Sequence, residues 1–464
     1  MNQNISSRLT ALIASLLFVS LFSCKKTTVQ EISDPAAQSL SSSKKPLDPG
    51  FADNSMVMYW NDKVGTVLTT GNQPTRARHF AIIEIAVHDA LNNIKPKYQT
   101  YALQERTQFA SPDAAVASAA YWGIVGLNRQ GNFPVDEWYS ESLATIPDGD
   151  SKELGITLGK HAAEAIIANR ANDGFSQAII TSVTPPNGTN PGEFRSTLMA
   201  ANWVPTQNQF PFRIYHNWGA VVKPYVVENN QQFRPPGPHP INTNEYTADF
   251  NEVKTKGARI GGTLTAEEEK TGKFWSDTRT SYILNLLASK AVEKKKLDAW
   301  KTARLFALVH VSVAETVNTM FDAGYYYYYW RPETAIRLAD ADGNDNTQSD
   351  AGWLPVLNDN ATNITPPVPE YPSSFASFSG AAAEALRLFF GSDNTSIEFT
   401  STTSNPAVTD PKPSLQFTSF SQMARSNSLA QIYNGWSFRK SALDAEEMGK
   451  QVANYVFHNS FKEN

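Results

Sequence analysis

Apolar residues spaced three and four apart dominate the longer stretches of this chain. In residues 76–94 they fall at Ile82, Ile83, Ala86, Val87, Ala90, Leu91 and Ile94, which line one face of a 3.6-residue turn and predict a buried amphipathic helix. Residues 112–128 and 152–173 repeat the pattern, and Gly174 supplies a C-terminal stop after the second. Residues 305–320, LFALVHVSVAETVNTM, are apolar nearly all round, so they predict a helix in the middle of a bundle. Pro332 predicts the end of that helix, because proline lacks an N–H and pushes the preceding residue out of α geometry. The helical pattern resumes at Tyr246, with Thr265 as an N-cap and Glu267, Glu268 and Glu269 in the turn that follows, and residues 293–305 feed the central helix. The predicted class is all-α, a helical bundle.

Two stretches lack a period. Residues 25–54 are polar, with SLSSSKK and two Asp-Pro steps, and predict a flexible tether. Residues 184–240 change composition to PPNGTNPGEF and FRPPGPHP, a long irregular connection whose Trp203 and Trp218 call for burial, so it is expected to wrap over the helices. His216 and His239 within it read as surface or packing residues.

The beginning of the chain carries one basic residue, Arg8, then the apolar run LTALIASLLFVSLF and Ser23-Cys24. That run is short for a membrane span and has the layout of a signal peptide. It resembles a bacterial lipoprotein signal, which makes Cys24 the lipid-bearing residue, with a plain signal peptide as the alternative. Cys24 is the only cysteine, which excludes an intrachain disulfide. Forty Lys plus Arg against 45 Asp plus Glu, without a basic block, argues against a nucleic-acid partner. The organisation expected is a signal peptide at 1–23, a tether at 24–55, an N-terminal helical region at 56–255 and a C-terminal helical region at 256–464.

Candidate chemistry narrows the picture further. Glu84 and His88 have the i, i+4 spacing of a metal pair, but no further ligand accompanies them, so His79 and His88 read as structural and no metal site is expected. Glu315, Asn318 and Asp322 form a polar line in an apolar helix, and Glu315 reads as a buried hydrogen-bonding strut. Residues 321–337, FDAGYYYYYWRPETAIR, bring five tyrosines and Trp330 up to Arg331, walls that suit a pocket or ordinary packing alike.

Trp330-Arg331-Pro332 followed by Thr334-Ala335-Ile336-Arg337 resembles the first signature of the vanadium-dependent haloperoxidases, whose fold is shared with the type 2 phosphatidic acid phosphatases and bacterial acid phosphatases. The resemblance implies that Arg331, with a lysine seven residues earlier, grips an oxyanion, vanadate or phosphate; the lysine position here is Gly324. The second signature, proline-serine-glycine-histidine at a helix start, is met by Pro372-Ser373-Ser374-Phe375, so Ser374 replaces the glycine and Phe375 the acid–base histidine. The third, an arginine with a vanadium-binding histidine six residues on, is met by the frame from Gln431 to Ser437, both altered. Of the residues that the resemblance endows with chemistry, Arg331 and Ser373 remain.

A buried oxyanion without cationic partners is costly. The reading that follows is therefore a haloperoxidase/phosphatidic acid phosphatase-superfamily lipoprotein, catalytically degenerate, with a binding or scaffold role at the cell envelope, facing the periplasm or the outer-membrane surface. Its expected partners are a lipid anchor in a bacterial membrane and a neutral or weakly acidic small molecule. No cofactor is expected on this reading. The alternatives are an active peroxidase or acid phosphatase using substitute residues, with vanadate as the peroxidase's cofactor, and a hydrolase built on Ser373.

Overall fold

The long helix α11, Ala299–Tyr327, is the axis of the molecule, and its side chains from Leu305 to Met320 are buried on every face. The computed structural model describes residues 52–180, 187–195, 217–277, 279–358, 365, 368–403, 405 and 408–464, all within one compact unit, Asp48–Asn464. The signal, the tether up to Phe51, Cys24, Trp203 and His216 lie outside the described residues.

Among the described residues ten helices precede α11: α1 (Ser55–Val67), α2 (Gln73–Ile94), α3 (Pro112–Gly126), α4 (Val135–Ala144), α5 (Asp150–Asn169), α6 (Phe175–Ile180), α7 (Trp218–Val221), α8 (Asn244–Lys256), α9 (Ala266–Phe274) and α10 (Thr280–Glu293). Four follow it: α12 (Pro332–Arg337), α13 (Ser374–Phe390), α14 (Phe420–Tyr433) and α15 (Arg439–Asn459). The all-α expectation holds, with one addition: strands β1 (Asn394–Thr400) and β2 (Ser414–Ser419) form an antiparallel hairpin that buries Ile397 and Phe417.

Helix α11 packs on α2, α13 and α15, and one apolar core runs from Val57 to Phe461. Each fully buried Leu, Ile or Phe in it contributes about 1.5–3 kcal/mol. A second cluster gathers Tyr246 and Phe250 of α8, Trp330, Ile336 of α12, Tyr371, Ile432 and Phe438. It is this smaller cluster that cements the motif-bearing segments together.

Two helix pairs approach unusually closely because a glycine faces backbone. A Cβ on Gly159 of α5 would stand 2.7 Å from the Ala119 nitrogen of α3, and one on Gly449 of α15 would stand 2.8 Å from the Ala381 nitrogen of α13. Any side chain there forces the helices apart.

Several boundaries differ from the sequence expectation. Helix α5 ends at Asn169, ahead of Gly174, because Arg170 turns inward to bond Asp173 and the Lys223 and Pro224 carbonyls. Residues 293–305 do not run continuously into the central helix; α10 ends and Asp298 caps a new start, its carboxylate accepting from the Lys301 N–H. Pro332 does not end α11. The helix has already closed at Tyr328, whose φ of 49° is left-handed, and the chain then pairs with residues 192–194, Phe194 N donating to Tyr328 O and Trp330 N to Gly192 O. Pro332 instead opens α12 at the first-turn position that needs no N–H. Thr265 is an N-cap as expected, completing a capping box with Glu268.

The polar line of α11 explains how the irregular connection is held. One Glu315 oxygen accepts from the N–H groups of Tyr225, Val226 and Val227; Asn318 accepts from the Trp218 indole at 2.7 Å; Asp322 pairs with Arg234 at 2.6 Å. Glu315 is thus the strut expected of it, and together the line pins residues 218–234 to the core helix. His88 turns to Asp89 at 3.1 Å and Glu84 takes a hydrogen bond from Asn61, so each of the i, i+4 pair has a protein partner. His239 is half-buried.

Candidate functional site

Arg331 sits at the N-cap of α12, where the left-handed end of α11 and the extended step to Pro332 turn its side chain into the protein. Its guanidinium is held by main-chain carbonyls: Nε donates to Val368 O at 2.9 Å, Nη1 to Trp436 O at 2.9 Å and Nη2 to Pro369 O at 3.5 Å. Burial lowers its pKa to about 10, against the opposing pull of Glu370 and Tyr325. It remains a cation at neutral pH.

The second motif supplies Ser373, the N-cap of α13, with only 2% of its surface exposed. Its hydroxyl does not cap the helix. It accepts instead from the Ser437 hydroxyl at 3.0 Å, while its N–H donates to Ser441 O at 3.3 Å. Ser374 is half-buried, and its carbonyl accepts from Ser377. Phe375 is buried with its ring centre 6.0 Å from that of Trp436, so this position packs and moves no proton.

The third motif lies in the turn between α14 and α15. The Gln431 carbonyl accepts the N–H groups of both Trp436 and Ser437, folding the turn back on itself. Its side-chain amide donates to Asn427 at 2.8 Å, and Asn427 in turn donates to the Phe375 carbonyl. Gly324 is buried on α11; a Cβ there would meet only the Tyr371 carbonyl, at 3.9 Å. That is an ordinary van der Waals contact.

Direct bonds thus tie Arg331 to Trp436, Trp436 and Ser437 to Gln431, Ser437 to Ser373, and Gln431 through Asn427 to Phe375, while Gly324 looks toward Tyr371. The three motif frames meet in one buried place. The other arginines of the region are committed elsewhere: Arg439 pairs with Glu252 at 2.6 Å and Arg337 with Glu333 at 3.0 Å.

Sequence reasoning assigned no role to Glu370, although it lies three residues before Ser373. It has no exposed surface. Its N–H donates to Tyr329 O at 2.9 Å, its carbonyl accepts from Ser441, and its Oε1 accepts from Phe438 N at 3.2 Å. Burial pushes the carboxyl up to about 7, opposed by Arg331 and by the hydroxyls of Ser441 and Ser437. The available signal was a carboxyl inside a motif frame, between Pro369 and Tyr371.

Residues 304–462 match the family model described as the VCPO second helical-bundle domain. The chain is 23% identical over 422 residues to the vanadium chloroperoxidase of Curvularia inaequalis, covering 74% of this chain and 67% of that protein. Among solved structures it resembles a bacterial vanadium-dependent iodoperoxidase, with a TM-score of 0.70 and 20% identity over 88% of this chain and 97% of that one. It also resembles a holo-type bacterial vanadium-dependent chloroperoxidase, with a TM-score of 0.67 and 17% identity over the same shares, 88% and 97%. With three motif frames converging on Arg331, residues 304–462 match the VCPO-type second helical bundle, and the chain as a whole shares the fold of the vanadium-dependent haloperoxidases.

Proposed function

We propose that this protein is an exported lipoprotein of the cell envelope, held to a bacterial membrane through Cys24, in which the superfamily's site has become a binding or scaffold element without peroxidase or phosphatase turnover. The observation that carries the reading is the state of Arg331. Its guanidinium donates to three main-chain carbonyls, and Phe375 and Ser437 stand where acid–base chemistry on an oxyanion calls for imidazoles.

The relatives are named as vanadium-dependent, and the donor set here does not fit vanadate. Phe375 and Ser437 stand at the two histidine positions, Gly324 and Gln431 at two cation positions, and the frame holds a buried carboxyl, Glu370. Three of the described histidines have partners outside the motif frames: His310 bonds Asn285 and stacks on Phe80, His88 faces Asp89, and His161 faces Glu105. Ser373 has another serine beside it where a nucleophile needs a base. The aromatic surround of Tyr325, Phe375 and Trp436 suits a neutral or weakly acidic small molecule.

Isothermal titration of the purified protein with orthovanadate and with inorganic phosphate tests the reading, alongside peroxide-dependent bromination of a phenol dye. No binding and no bromination are expected. Micromolar vanadate affinity with dye bromination would overturn it in favour of an active peroxidase.

A further inference from the structure

We infer that the groove between the C-terminal halves of α13 and α15 is a second binding site, and that it takes a neutral oligosaccharide. The site is separate from the motif frames, and its ligand is independent of whether those frames hold an anion.

Helices α13 and α15 run parallel: Ser373 N donates to Ser441 O at their entrances, and further along Gly449 packs on the backbone of Ala381. Beyond that contact the two helices and Phe233 line a groove of about 530 Å3, within the size range of small-molecule sites. Glu384, on its wall, stands 11 residues after Ser373, about 16 Å along α13. The groove and the motif frames therefore occupy opposite ends of the same helix pair.

Glu447, Gln451, Asn454 and His458 recur at spacings of four, three and four along α15, which puts them on one exposed face of the groove. A polar stripe alone is the ordinary finish of a solvated helix. Here it is joined by an aromatic pair brought together from distant segments. The half-buried ring of Phe233 meets that of Tyr455 edge-on, with centroids 5.7 Å apart. Phe233 comes from the irregular connection, and its neighbour Arg234 is pinned to Asp322 at 2.6 Å, so the ring is held in place.

Charge on this wall is balanced internally. Both Glu384 oxygens accept from Arg387, at 2.7 and 2.6 Å. Behind the stripe, Glu446 takes Arg425 at 2.8 Å and Lys450 at 2.6 Å, a surplus of one positive charge that the adjacent Glu447 offsets. Three cations against three carboxylates leave no net charge to select an ion. The remaining capacity is that of short-range hydrogen bonding. Glu447 accepts from the Gln451 amide at 3.3 Å and has no ion pair among the described residues. His458 Nδ1 donates to the Asn454 carbonyl at 2.8 Å, so the neutral ring presents Nε2 as an acceptor. The Asn454 side chain offers both a donor and an acceptor.

The complement of such a wall is uncharged, carries many hydroxyls that each donate and accept, and has an apolar C–H face to lie against an aromatic ring. A sugar ring has all three properties. From Glu447 to His458 the stripe runs about 16 Å, longer than one sugar ring, which calls for an oligosaccharide. An extended peptide is matched less well, because it needs unpaired main-chain groups and the walls are helices whose main-chain groups bond within their own turns.

The test is isothermal titration of the purified full-length protein with maltohexaose, cellohexaose, laminarihexaose, xylohexaose and chitohexaose, with a galacturonic acid hexamer and a glycine–serine peptide as charged and peptide comparators. Submillimolar affinity for at least one neutral hexasaccharide is expected. Phe233→Ala and Glu447→Ala should each weaken it about tenfold or more, with helical circular dichroism retained. Glu447 is exposed, so its variant keeps the assignment testable if Phe233→Ala unfolds. No heat from any neutral hexasaccharide would overturn the assignment. So would tighter binding of the galacturonate or of the peptide, or sugar binding that folded variants leave unchanged. Vanadate affinity and dye bromination are untouched by these outcomes and decide the motif site separately.

Discussion

The Ser437 hydroxyl donates to the Ser373 hydroxyl at 3.0 Å, joining two motifs 64 residues apart in the chain. Both are buried, and both stand at helix entrances, Ser373 at the N-cap position of α13 and Ser437 two residues before α15. A serine pair satisfies itself where a histidine and an oxyanion would need one another. The bond closes the frame with two neutral hydroxyls, at positions where the family resemblance implies an oxyanion contact and a histidine.

Because the three motif frames meet in one place, placing the family's groups there should confer anion affinity. The combined change Gly324→Lys, Ser374→Gly, Phe375→His, Gln431→Arg and Ser437→His is expected to bind orthovanadate measurably by isothermal titration, while the natural protein does not. The first carbon of a side chain at position 324 meets only the Tyr371 carbonyl, at 3.9 Å, an ordinary contact. Turnover is a harder demand, since it needs sub-ångström placement of the new groups. A folded quintuple variant giving no heat with vanadate would mean that the pocket has been rebuilt beyond its motif positions.

The α13–α15 contact sets the distance between Ser373 and Ser437, and Gly449 sets that contact. Gly449→Ala would gain about 1 kcal/mol of helix propensity. Its methyl group, however, meets the Ser377 carbonyl and the Ala381 nitrogen, backbone atoms that cannot step aside. Overpacking of this kind costs about 1–3 kcal/mol, so net destabilisation is expected in urea unfolding. An unchanged or raised midpoint would show that the two helices are free to separate.

Glu84 should make the natural protein less stable as pH rises. Burial lifts its pKa from an ordinary 4.5 to about 8, against the lowering effect of Asn61. Between those values the folded protein holds a proton that the unfolded chain releases, so stability falls as pH climbs through that window. Glu84→Gln cannot titrate. The stability difference, natural minus variant, should be flat below about pH 4.5 and decline toward pH 8. Parallel pH profiles for the two proteins would refute the assignment, and the subtraction removes the contributions of Glu315, Glu370 and His310.

Lipidation is tested at Cys24. Cys24→Ala, expressed in a diderm bacterium, should move from the membrane pellet to the soluble fraction. Unchanged fractionation would reject the lipid anchor.

What the sequence determined by itself was local or framed by motifs. The helices 76–94, 112–128 and 305–320 were legible because a face repeats every three or four residues, and Thr265 because a capping box closes within one turn. The three motif frames were legible because their residues are close in sequence. The hairpin of β1 and β2 was not read, although Ile397 and Phe399 alternate with polar neighbours, since the pairing of two short strands depends on a partner beyond the intervening loop. Tertiary structure alone decided where α11 ends, because residues 192–194 pair with Tyr328 and Trp330 and hold a left-handed tyrosine that no local rule selects. It alone gave Asn318 and Asp322 their clamping partners, Trp218 and Arg234, from about 90–100 residues away. It also brought Glu370 and Arg331, 39 positions apart, into one buried frame. Periodicity tells a residue which way to face; which charge waits on the other side is set by the folding of distant segments against it.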